Sequence, residues 1–212
     1  MMNERYIAAA GYAILCISLP ILLFLRYLDT TTIITNILTS EVIHSVEICL
    51  VFTSTFSILL ISVGWLAIGR RLKISEACIC GETGLITFSA LLILEVILYF
   101  SHVPNPLTIL YEKVSKSLIV LLIMFSLLIC LVFVITHIIS HFTVSRILRS
   151  VLLRFAGYLQ TLLLSYSISC LICYVIGILD SSYLHICILF LSLLIFSACM
   201  LSAISIVRLK AS

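Results

Sequence analysis

Six long apolar runs separated by short polar stretches set the pattern of this chain. They cover Tyr6–Leu28, Ile48–Gly69, Leu85–His102, Ser117–Ser140, Gly157–Leu179 and Tyr183–Val207. Each is long enough, as a helix, to cross a hydrocarbon core of about 30 Å. None shows the sustained alternation of a barrel strand. The expected fold is all-α: a polytopic membrane protein with six transmembrane helices, forming a single domain over residues 1–212.

The joints carry their own signals. Ser40 is placed to cap a helix from Glu41, which would overshoot the bilayer if it ran on to Gly69. The stretch RRLKISEACICGETG reads as a loop, with Gly81 and Gly84 turning the chain into the third span. Pro104 and Pro106 end that span. The fourth joint, HFTVSRILRSVLLRFAG, alternates cations with apolar residues, the pattern of a short interfacial helix.

Composition agrees with membrane burial. The chain is 63% hydrophobic and 10% charged, too little charge to cover a soluble surface. The run Tyr6–Leu25 exceeds a secretory core, and no small-x-small site follows it, so it reads as a retained span. Seven of the nine cysteines lie in or beside apolar runs, where thiols act as small hydrophobes. Cys78 and Cys80 fall in the predicted loop. Cys170 and Cys173 form a C-x-x-C inside an apolar helix, which lacks the helix-N-terminal setting of a redox motif.

Charge adds an orientation. Arg5, Arg70, Arg71, Lys73, Arg146, Arg149, Arg154, Arg208 and Lys210 share one side; Arg26, Lys113 and Lys116 take the other. The positive-inside rule then makes both termini cytoplasmic, and the cell membrane is the expected location.

The costliest residue is Glu95, near the middle of the third run. A carboxylate there must be neutralised, paired or turned to a polar cavity. Tyr99 and His102 follow at i+4 and i+7 on one face, so the three read as a proton- or transport-linked stripe. The plainer account is a Glu bonded to a hydroxyl or carbonyl of a neighbouring helix. At the outer boundary His44, Glu47, His102 and His185 offer donors suited to a transition metal, and paired histidines suit haem. His137 and His141, spaced i+4, read as interfacial histidines; a zinc site would need both together with Cys78 and Cys80. The fifth span carries a row at i+4, Gly157, Thr161, Ser165, Ser169, Cys173 and Gly177, read as a packing seam between helices.

No P-loop, G-x-S-x-G or H-E-x-x-H motif occurs, so ATP hydrolysis by this chain is not expected. Nor is there a nucleic-acid signal. The expected function is a membrane transport component, a non-ATPase subunit of a larger permease or translocation assembly, with other subunits and a cytoplasmic ATPase as partners. The alternatives are a haem- or quinone-binding redox subunit and a structural assembly subunit with no site. In its six cytoplasm-ended spans and its Ala9–Ala13 spacing the chain resembles permease subunits of ABC systems and substrate-capture subunits of vitamin importers. That resemblance implies the same transport role.

Overall fold

The computed structural model describes residues 2–30, 40–101, 108–176 and 181–209, with side chains over 4–25, 45–97, 120–173, 176 and 186–209. Six helices account for them: α1 (Met2–Thr30), α2 (Ser40–Leu72), α3 (Ser75–Ser101), α4 (Thr108–Ile147), α5 (Val151–Val175) and α6 (Ser181–Val207). Among the described residues there is no strand. All six are long and apolar enough to cross a membrane, and the chain is an integral membrane protein.

Spatial order repeats chain order. Each helix packs on its two sequence neighbours, and α6 returns to α1. The result, among the described residues, is a closed ring in which no helix pairs with one across the middle. Side chains must therefore fill the axis.

One half of the ring is packed backbone to backbone. A Cβ on Gly64 would overlap Ala8 of α1 and lie 2.7 Å from its amide nitrogen; one on Gly11 would lie 2.8 Å from the Ser57 carbonyl. Gly81 meets Leu66 in the same way, and Gly84 meets Ser62 and Phe133. Such close approach is how helices gain dispersion energy where lipid supplies no hydrophobic drive. Gly81 and Gly84 are thus packing residues inside α3 rather than turn residues.

The turns differ from their sequence reading for a shared reason. Two tight reversals, at Lys73 and Arg149, join α2 to α3 and α4 to α5. Both residues are left-handed, with φ of 55° and 49°. Ile74 N–H donates to the Gly69 carbonyl at 2.9 Å, and Ser150 N–H to Ser145 at 2.9 Å. These six-to-one bonds close a Schellman cap. Ser150 Oγ then accepts the Leu153 N–H at 3.3 Å, so one residue finishes one helix and caps the next. The expected loop over 70–84 is a single turn followed by helix, and the expected interfacial helix is the continuous end of α4, a turn, and the start of α5. We call this the basic end of the ring.

The early start of α3 moves Glu95. It lies twenty residues beyond Ser75, about 30 Å along the helix. That is near the end away from the basic turns and not at mid-span as the sequence suggested.

Candidate functional site

The ring axis is filled by a buried polar cluster to which every helix contributes. Tyr12 of α1 lies at its centre. Trp65 of α2 donates its Nε1–H to the Tyr12 hydroxyl at 2.7 Å. The same hydroxyl lies 2.6 Å from His137 Nε2 of α4. His137 Nδ1 lies 3.3 Å from Cys80 Sγ of α3. Gln160 of α5 donates Nε2–H to Ser202 Oγ of α6 at 3.0 Å, and its side chain lies close to the Tyr12 hydroxyl.

Donor and acceptor counting constrains the protons. An indole can only donate, so the Tyr12 oxygen accepts from Trp65. His137 then joins Tyr12 to Cys80 in one of two neutral tautomers: the Tyr12 hydroxyl donates to Nε2 and Nδ1–H to the Cys80 sulfur, or Nε2–H donates to the Tyr12 oxygen and the Cys80 thiol to Nδ1. His141 follows the same logic. Its Nδ1 lies 2.9 Å from the His137 carbonyl, which can only accept. The proton is therefore on Nδ1, and Nε2 holds a bare lone pair.

That lone pair is buried and has no hydrogen-bond partner among the described residues, and the same holds for Gln160 Oε1. Both are acceptors. The rings around them are stacked closely: His141 lies 4.9 Å from Trp65 and 4.6 Å from His137 between centroids, and Phe133 lies 5.4 Å from His137. Tyr12, Trp65, Cys80 and His141 are at most 1% exposed. No Lys, Arg, Asp or Glu belongs to this cluster. It sits nearer the basic end, since Cys80 is five residues into α3 and His141 six residues before the end of α4.

The zinc arrangement of Cys78, Cys80, His137 and His141 is not assembled. Cys80 joins His137, but Gly69 packs against Cys78 on the α2 side. Among the described residues no group of three His, Cys, Asp or Glu is placed to hold a metal ion. The reading of His137 and His141 as interfacial residues is corrected too: α4 continues past both, and both are buried.

Glu95 lies in the seam between α2 and α3. Thr55 Oγ1 donates to Glu95 Oε1, and Oε2 is buried with no partner among the described residues. Nearby, Ser54 donates to Ser18 of α1 at 2.9 Å. Glu47 lies two turns before Ser54 on the same face and is buried. The side chains of Tyr99, His44 and His185, and the whole of His102, lie outside the described residues. The outer stripe and the outer metal set therefore reduce here to Glu95 and Glu47.

Along α5 only the first member of the small-residue row is buried. Gly157 packs on Phe142 and His141, with a Cβ there 3.2 and 3.3 Å away. Thr161, Ser165 and Ser169 are exposed. Thr161 and Ser169 return their hydroxyls to the carbonyls four residues back, at 2.9 and 2.8 Å. Cys173 is half-buried, and Gly177 lies outside the described residues. Above Gly157 the row turns away from the rest of the chain.

Sequence reasoning missed Tyr12, Trp65, Gln160 and Ser202 as members of one cluster. One signal was available. Gln160 is the chain's single glutamine and lies in an apolar run, where an amide needs partners on other helices. No protein family, curated protein or solved structure matches the chain.

Proposed function

We propose that the protein is a multi-pass transport component, a non-ATPase subunit of a larger assembly, with both termini in the cytoplasm. On this reading protons are handled at two levels of the ring. Glu95 serves the end away from the basic turns, and the Tyr12–His137–His141 cluster serves the basic half. The observation that carries the reading is the axial cluster itself. A ring of apolar helices does not need two imidazoles, a phenol, a thiol and an amide at its centre to fold, and buried polar groups in a membrane are expensive. Here they are joined through hydrogen bonds, and one imidazole nitrogen is left bare to accept a proton. The cations at Arg70–Lys73 and Arg146–Arg154 would then form the docking face for a cytoplasmic ATPase or another subunit.

The test is proton-coupled flux in proteoliposomes loaded with a pH-sensitive dye under an imposed potential. Glu95→Gln and His141→Gln should each lower the flux at least tenfold while leaving the protein folded. Glu95→Gln keeps an acceptor for Thr55, so its fold is preserved. Unchanged flux in both variants would sink the reading and favour a structural subunit, for which Glu95→Leu is also tolerated.

A further inference from the structure

The thiols of α5 and α6 are brought together at the end of the ring away from the basic turns. Tyr166 of α5 packs edge-on against Phe190 of α6, with ring centroids 4.9 Å apart. The two helices are consecutive and antiparallel. One turn further along α5 is therefore level with one turn back along α6. Those positions are Cys170 and Cys187. The Cys170 thiol neighbours the Tyr166 hydroxyl and the Cys187 thiol, and the Tyr166 hydroxyl neighbours both thiols. Both cysteines are free and neither is fully buried.

Their level in the membrane matters as much as their proximity. Cys170 lies nineteen residues along α5 from its start at Val151, and Cys187 lies twenty residues before the end of α6 at Val207, so each is about 30 Å along its helix from the basic end, roughly the thickness of the hydrocarbon core. Both are thus at the far boundary from Lys73 and Arg149. If the basic end is cytoplasmic, this boundary faces the compartment in which disulfides form and persist.

We propose that Cys170 and Cys187 form a disulfide that staples α5 to α6 at the non-cytoplasmic boundary. The step is thiol–disulfide exchange with a disulfide-bearing oxidant. One cysteine, as thiolate, attacks the oxidant's disulfide, forms a mixed disulfide and releases the first oxidant thiol. The second cysteine attacks the mixed disulfide, closes the Cys170–Cys187 bond and releases the second oxidant thiol. Two protein thiols are oxidised, one oxidant disulfide is reduced, and the two protons leave with the oxidant's thiols. The remaining thiol of the C-x-x-C, Cys173, stays free. The C-x-x-C is therefore not the redox unit; the pair runs between helices. This inference rests on the orientation proposed above.

The experiment uses the full chain. Cells are treated with N-ethylmaleimide before lysis, and the protein is digested without reduction and mapped by mass spectrometry. A peptide joining Cys170 to Cys187, two mass units lighter than the summed thiols, is expected. Cys170→Ser and Cys187→Ser should each abolish it, and Cys173→Ser should leave it. Reduction should lower the thermal midpoint of the wild type and leave that of Cys187→Ser unmoved. A link through Cys173, or maleimide on both Cys170 and Cys187, would overturn the proposal. In the second case diamide treatment of purified protein separates the causes. Cross-linking then means that the orientation is wrong; no cross-linking means that the pairing is.

Discussion

Tyr12 carries two hydrogen bonds on one oxygen. It accepts from Trp65 and is bonded to His137 Nε2, with the Gln160 side chain close by. Tyr12→Phe removes a single atom but leaves the Trp65 N–H and the His137 Nε2 without partners. Each orphan costs about 1–3 kcal/mol. A clear fall in thermal midpoint in detergent is expected. Trp65 is the chain's only tryptophan, so its emission reports the same event directly. It should shift in Tyr12→Phe and stay in place in Glu95→Gln. At this scale the sequence was partly legible. Glu95 was visible because a carboxylate in hydrocarbon is conspicuous. Tyr12 and Trp65 were not, because an aromatic in an apolar run looks the same whether it faces lipid, a boundary or a buried partner.

Helix contacts turn on a few small residues. Gly64 lies against Ala8 with no room for a methyl group. Gly64→Ala must push α1 and α2 apart, and overpacking of this kind costs about 1–3 kcal/mol; denaturation in mixed micelles would measure it. The two cationic turns predict the opposite sign. Lys73 and Arg149 hold a left-handed backbone that costs an L-residue about 1–2 kcal/mol. Lys73→Gly and Arg149→Gly are expected to raise the thermal midpoint, and Lys73→Val to lower it. The same two turns explain why helix boundaries were misjudged. Charged residues over 70–76 and 146–154 mark the membrane surface, and the sequence reading took that surface for a loop. The backbone instead reverses within two or three residues and resumes the helix. The start of α3 moved from Leu85 to Ser75 as a consequence, and with it the depth of Glu95.

Ring closure gives the whole molecule its character. With no helix pair across the middle, Trp65 is the largest fully buried side chain and spans the axis between α1 and α4. Trp65→Ala should therefore destabilise the ring as a unit, by about 3–5 kcal/mol, and a co-operative loss of thermal stability across helix-specific cross-linking probes is the expected outcome. Loss confined to α2 contacts would argue against an axial role. Six spans were legible from the sequence alone, because a hydrocarbon core demands long runs of apolar residues whatever their partners. Apolar periodicity did not say which face of each span turns inward, since lipid and protein interior accept the same side chains. Only the tertiary structure decided that, by bringing one polar residue from each of six distant segments to a common axis, by turning most of the α5 small-residue row outward, and by bringing Cys170 of α5 near Cys187 of α6.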